Sequence, residues 1–483
     1  MKQRLASLAL ALRRSPLGAL GALSGLTMRE SVRKKVFIVL VVFTVVMLGA
    51  TALLPSIRPE DRVILIETWA LRAITFFGVL IAVFLAGVSL PDDIEERRVF
   101  TLLTKPLARW QLLAGRFAGF ASLLAAFALA AFVICSVFVR IVALGGGGTL
   151  ASRTEYAARE VRVEEEDGLS KVEARSTEAD PLIGIITGGG QTIAFWAFRG
   201  VDLTDLPETV TARCTLEVQG RAMMSFGELE VFLRPISHDV PAPEAAALGW
   251  NVRFVKEPDP NAGPNEPLPL RLATRKITVK HMIPFEIQFP RGWLGETGGL
   301  DIAVKRAKPN LTVSVRPKSV VLLSSPHNFE WNFAKAIAST YLLWMVVLAL
   351  TIAGSTVLSA PVNLLFGLAV FVTGSMVGYV RESLPTVAER IKVAESEEKE
   401  ADHGHKHGGG EDFPIPVLRF SQFVSRISLA AIPDMNTFDA STPILRGVDI
   451  PADKIYEGLK FALAYVVGAL LAGLAFLRMR EFR

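Results

Sequence analysis

Pro91-Asp-Asp-Ile-Glu-Glu-Arg-Arg-Val-Phe-Thr-Leu-Leu-Thr-Lys-Pro-Leu-Ala-Arg-Trp-Gln-Leu-Leu-Ala-Gly-Arg116 lies between two long apolar runs. That position makes it a short polar loop joining two membrane helices. Acidic residues come first (Asp92, Asp93, Glu95, Glu96), and basic ones follow (Arg97, Arg98, Lys105, Arg109, Arg116). Val99, Leu102 and Leu103 recur at i, i+3, i+4, one face of a helix. Pro106 then ends that helix, because proline has no N–H to continue the ladder. A short amphipathic helix at a membrane surface can lie among the headgroups or dock into a soluble partner.

Composition sets the class around this loop. The chain has 483 residues, 51% of them hydrophobic and 20% charged, which is too apolar for a soluble globular protein. Net charge is +5 and the basic residues form no stripe, so no nucleic-acid partner is expected. Two cysteines, Cys135 and Cys214, give neither a disulfide framework nor a metal-ligating pair.

The apolar excess is gathered into six runs: Val36–Leu54, Ala73–Leu90, Phe117–Val139, Ala336–Leu358, Val362–Val380 and Leu459–Leu477. Each approaches the roughly 20 residues that cross a bilayer core of about 30 Å. Six spans put both termini on one side, with Arg13, Arg14, Arg33, Lys34, Lys35, the loop arginines and the tail Arg478-Met479-Arg480-Glu481-Phe482-Arg483. The positive-inside rule assigns that side to the cytoplasm, hence a multi-pass protein of the cytoplasmic (inner) membrane. Leu26–Lys35 reads either as an amphipathic helix on the membrane face or as a plain positive anchor. The turn Ser359-Ala360-Pro361 makes spans four and five a tight hairpin. Gly115…Gly119 and Gly374…Gly378 are small-xxx-small pairs that let helices approach closely. The spans carry almost no ionisable residues; their polarity is in hydroxyls such as Thr340, Ser375 and Thr351.

Two insertions interrupt the spans. In 145–332 the pattern changes to period two: Val210, Ala212, Cys214, Leu216 and Val218, then Leu229, Val231 and Leu233, then Ile277 and Val279, then Leu311, Val313 and Val315. Short alternating strands between proline and glycine signals predict a mainly antiparallel β-sandwich domain. Phe195-Trp196-Ala197-Phe198 and Phe285…Trp293-Leu294 read as core aromatics, with ligand contact as the alternative. His238, His281 and His327 stand near no nucleophile or paired acids at motif spacing, so no catalytic set is expected. The second insertion, 381–458, contains His403, His405 and His407 among acids and glycines, a tract that can ligate zinc, copper or nickel through neutral imidazole. An interfacial or re-entrant helix is expected over Pro416–Ile432.

The expected domain order is a cytoplasmic amphipathic segment (1–35), spans one to three with loop 91–116 (36–144), the β domain (145–332), spans four and five (333–380), the His-containing loop (381–458), and span six with its basic tail (459–483). No Gly-x-x-x-x-Gly-Lys-Ser/Thr stretch occurs, so this chain has no phosphate-cradling loop of its own.

Glu95-Glu96-Arg97-Arg98…Thr101-Leu102-Leu103-Thr104-Lys105-Pro106-Leu107-Ala108-Arg109…Gly115-Arg116 resembles the loop of ATP-binding-cassette permeases of the second export class, a group that includes the nitrous-oxide-reductase maturation permease. Ile432-Pro433-Asp434-Met435-Asn436 and the basic tail are similar to that family's region before the last span and its ending. The resemblance covers the spans and short loops, and not 145–332. It implies a permease subunit of an exporter, working as a homo- or heterodimer with a separate ATPase that consumes the ATP. It implies that Glu95, Glu96, Arg97, Arg98, Lys105 and Arg109 meet charges of that ATPase, that Leu102 and Leu103 fill its apolar floor, and that Pro106 sets the exit angle. Membrane lipid and an envelope protein or substrate at the β domain complete the expected partners; the chain itself binds no cofactor and is no enzyme. The alternative is a polytopic anchor that displays the β module without transport.

Overall fold

The computed structural model describes residues 16–33, 38, 42, 46, 49, 62–95, 108–144, 151–164, 171–175, 183–186, 192–220, 226–235, 242–254, 271–307, 311–378 and 432–479. The chain divides into two compact units, one of 1–150 with 328–483 and one of 151–327.

The first unit is helical: α1 (Pro16–Arg33), α2 (Arg62–Glu95), α3 (Arg109–Leu144), α4 (Phe329–Gly354), α5 (Ala360–Gly378) and α6 (Ala452–Met479). Five of these hold segments long and apolar enough to cross a membrane: Val63–Val88, Arg109–Leu144, Phe329–Gly354, Ala360–Gly378 and Ala452–Met479. This is a multi-pass membrane protein. Of the expected first span, only Ile38, Val42, Val46 and Gly49 are described, and all four are helical.

The helices start earlier than the apolar runs. Hydropathy marks the apolar stretch, but backbone hydrogen bonding carries a helix on until a cap stops it. For α4 that cap is Asn328, whose side chain accepts from the Glu330 N–H at 3.0 Å. At its other end α2 runs through Pro91 to Glu95. Proline cannot donate to the carbonyl four residues back, which here belongs to Gly87. The Asn363 side-chain amide reaches that carbonyl at 3.4 Å and the Thr351 carbonyl at 3.1 Å. Neighbouring helices thus satisfy the group that proline frees. The hairpin of α4 and α5 is tight as expected: five residues join them, and Asn363 N–H bonds back to Ser359 O at 2.8 Å.

Apolar side chains gain little by leaving lipid for one another, so close fit and hydrogen bonds hold such a bundle. Trp344 on α4 is fully buried; its indole fills a notch over Gly78 of α2 and its Nε1 donates to Thr75 O at 3.2 Å. Gly115 and Gly119 of α3 make the expected close approach, and their partner is α1, through Leu23, Ser24 and Thr27. Among the described residues, the nearest neighbours of Gly374 and Gly378 of α5 belong to no membrane-length helix. These glycines receive the segment around Pro433, Met435 and Asn436, which takes the space a Cβ would fill.

The second unit is built of antiparallel strands. One sheet has seven, in the order Asn251–Phe254, Arg271–Lys280, Phe226–Pro235, Leu300–Arg306, Ile193–Phe198, Glu160–Glu164, Lys171–Arg175. Another has four (Phe285–Pro290, Thr209–Cys214, Val320–Leu323, Glu155–Ala157), and a third has three (Gly184–Ile186, Leu311–Val315, Glu217–Gly220). The period-two residues point inward: Val210, Ala212, Cys214, Leu216, Val218, Leu229, Val231 and Leu233 share one buried core. Trp196, Phe198, Phe289 and Trp293 belong to that core too, with Phe289 stacked on Trp293 at 6.3 Å. Burial raises the Cys214 thiol pKa, which keeps it protonated and unreactive.

The notch under Trp344 gives a prediction. Gly78→Ala places a Cβ inside the indole and should cost on the order of 1–3 kcal/mol, read as a lower thermal midpoint of the purified protein. Gly21→Ala, where nothing lies within 4 Å, should leave the midpoint unchanged or slightly raised. Equal effects would contradict the packing described.

Candidate functional site

The segment 432–450 leads into α6 and joins two short helical turns, Met435–Phe438 and Ser441–Leu445, by irregular backbone. Irregular backbone among membrane helices must find its hydrogen bonds locally. Asp434 caps a short turn, Met435–Phe438, by accepting from Asn436 N–H at 3.1 Å. Asn436 donates to Ser375 O at 3.2 Å, and Ser339 donates to Phe438 O at 3.0 Å. Asp439 accepts from Ser441 Oγ and Thr442 Oγ1, both at 2.6 Å, and Lys454 Nζ donates to the Asp439 carbonyl at 2.7 Å. At the start of α4, Asn332 exchanges bonds with Val448 O and Ile450 N–H, while Lys335 Nζ holds both oxygens of Asp449 at 2.6 and 2.7 Å.

This clasp closes one side of a cavity of about 250 Å³. Leu71, Arg72, Thr75 and Phe76 line it from α2, Thr340 and Leu343 from α4, Phe371 and Ser375 from α5, and Met435–Asn436 with Phe438–Ser441 from the clasp. Its wall is apolar with polar groups at intervals, the usual make-up of a small-molecule site. Glu67, 6% exposed, lies one helical turn from Leu71 on the same face of α2.

The apolar run that begins at Ala73 leaves out Glu67 and Arg72. The helix begins at Arg62, so both sit inside a membrane-length helix. Val63-Ile64-Leu65-Ile66 ahead of them was the available signal. Ionisable residues within membrane helices are expensive and usually mark a functional route.

The expected ATPase-contact residues fall differently. Glu95 ends α2 and Arg109 opens α3. Arg109 donates to Leu477 O at 3.0 Å and to Arg478 O at 3.4 Å, capping carbonyls at the end of α6. Glu96, Arg97, Arg98, Leu102, Leu103, Lys105 and Pro106 lie outside the described residues. So do His403, His405 and His407 and nearly all of the helix expected over Pro416–Ile432.

In the second unit His327 corrects the reading that it stands alone. Its Nε2 lies 3.1 Å from Asp205 Oδ1 and its Nδ1 3.3 Å from Ser324 Oγ, while Tyr156 donates to Asp205 Oδ2 at 2.8 Å. Ser324 is three residues from His327, whereas Asp205 and Tyr156 are brought in from distant parts of the chain, which sequence spacing does not show. The Ser324 hydroxyl is fully buried, donates to Ser325 O at 2.8 Å and accepts from Thr154 N–H at 2.7 Å. A hydroxyl so committed and closed to substrate is a structural tie. Burial, with the bond to Asp205 and its charge, raises the Tyr156 pKa.

Compared with known proteins, the chain matches no family model, no curated protein and no solved structure.

Two predictions concern the clasp. Lys335→Met leaves Asp449 without its cation and should cost on the order of 2–4 kcal/mol, somewhat under the value for a fully buried pair because both groups keep some exposure. Lys335→Met with Asp449→Leu should recover much of that loss in the same melting assay; no recovery would contradict the pairing. Burial works to raise the Asp439 pKa, but the Ser441 and Thr442 hydroxyls, the Ser441 N–H and Lys454 outweigh it and hold it low. A depressed carboxyl pKa stabilises the fold above the ordinary value of about 3.9, and that gain is lost as pH falls through the folded-state pKa. The melting difference between wild type and Ser441→Ala/Thr442→Val should therefore be full at neutral pH and shrink in acid. A difference constant with pH would refute the assignment.

Proposed function

We propose that this chain is the permease subunit of an ATP-driven exporter, working as a dimer of permeases with a separate ATPase. It sits in the cytoplasmic membrane with six spans, both termini inside, and the antiparallel sheets outside as a β-sandwich. The observation that carries the reading is mechanical. Helix α2 continues past Pro91 to Glu95, and α3 starts at Arg109, tied to the end of α6. Residues 96–107 join these two helices in the sequence, so a pull transmitted through that connection would move α2, α3 and α6 together. The sequence of that loop, acids then arginines with Leu102 and Leu103 between, suits a charged cleft with an apolar floor. Hydrolysis belongs to the partner, and this chain converts the partner's closure into helix movement. The cavity beside the clasp lies at the other end of α2, where such movement would change its shape.

Gentle solubilisation and capture of the tagged chain should bring down an ATPase with a phosphate-binding loop. Leu102→Asp/Leu103→Asp should reduce the captured ATPase by about tenfold or more, since charges would enter an apolar contact. Full occupancy with the double variant would remove the docking role of the loop.

A further inference from the structure

We infer that the cavity bounded by α2, α4, α5 and the clasp binds the anionic end of an amphiphile, with Arg72 as the recognising cation. The inference names the substrate class of the transport reading and rests on it.

The argument starts from hydrogen-bond supply. The hydroxyl protons of the cavity wall are committed. Thr75 donates to Leu71 O at 2.9 Å, Thr340 to Ala336 O at 3.0 Å, Ser375 to Phe371 O at 2.8 Å and Ser441 to Asp439 at 2.6 Å. These hydroxyls keep lone pairs, so toward a ligand they are acceptors. The Asn436 amide is turned to Ser375 O. Among the described residues, the strong donor remaining on the wall is the Arg72 guanidinium, which carries five N–H groups and no acceptor. Among the described residues no acid pairs with Arg72. Asp439, the acid on the same wall, is already taken by Ser441, Thr442 and Lys454.

Electrostatics and size then select the ligand. An arginine inside a membrane-length helix needs a counter-charge or an exit to water. Its planar fork matches a phosphate or carboxylate, which would bond in two places. Leu71, Phe76, Leu343, Phe371, Met435 and Phe438 supply an apolar surface beside it. The volume of about 250 Å³ falls below the roughly 300–1,000 Å³ that encloses a drug-sized ligand. It therefore holds one end of a longer molecule, whose remainder lies along the exposed Phe76 and into lipid. Hydroxyls on the headgroup would meet the acceptor oxygens of Thr75, Thr340 and Ser375. An anionic, hydroxyl-bearing amphiphile meets all three demands; a zwitterion or free phosphate meets fewer.

The test uses the purified full chain without any ATPase, so a failed ATPase association cannot affect it. A fluorescent phosphatidylglycerol is titrated in neutral detergent and displaced with unlabelled phosphatidylglycerol, phosphatidylcholine or inorganic phosphate. The expected result is saturable binding at one lipid per chain, with phosphatidylglycerol displacing at least about tenfold better than phosphatidylcholine or phosphate. Arg72→Gln should abolish that preference, Arg72→Lys should keep part of it, and Phe371→Trp, which fills the cavity, should weaken binding with Arg72 intact. Melting curves identify any variant that fails to fold, and the two others then carry the comparison. Equal displacement by the two lipids, displacement by phosphate at the same concentration, or a preference that survives Arg72→Gln would each overturn the inference.

Discussion

Backbone that leaves the helical ladder among packed helices must find another partner for every buried N–H and carbonyl. In this protein that constraint falls hardest on 432–450. The segment meets it with side chains of α4 (Ser339, Asn332 and Lys335) and α6 (Lys454), with a backbone carbonyl of α5 (Ser375), and with its own Asp434, Asn436 and Asp439. The same bonds fix the wall of the cavity. Packing, polar satisfaction and the candidate site are thus one arrangement, and disturbing any tie should be felt at the other two.

The opposite end of the bundle solves the same problem with fewer parts. Pro91 deprives Gly87 of its helical partner, and Asn363 supplies one from α5 while also holding α4 through Thr351. Arg109 attends to carbonyls of α6. Helices that share such bonds move as a group. On the proposed reading, this is what would let a displacement applied between α2 and α3 reach the other helices.

Much of this was legible in the chain. Period two in Val210 to Val218 found a buried strand face because alternate side chains must point the same way. Apolar runs located five membrane-length helices. Two of them, α2 and α4, start earlier than hydropathy indicates because Glu67, Arg72 and Lys335 interrupt hydropathy without interrupting hydrogen bonding. Gly374 and Gly378 do form a close-approach surface, but for the segment at Pro433, Met435 and Asn436 and not for the helix that their spacing predicts, because composition does not say which neighbour fills the groove. The pairing of His327 with Asp205 and the convergence of Arg72 with Asn436 and Phe371 depend on chain topology, which no local spacing encodes.

The central claim is that residues 91–116 face the cell interior, where an ATPase can reach them. It is tested most directly with Thr104→Cys in a chain whose buried Cys135 and Cys214 are replaced by alanine. Intact cells and inverted membrane vesicles are treated with a membrane-impermeant thiol reagent. The account predicts labelling in inverted vesicles and none in intact cells; labelling of intact cells would contradict it.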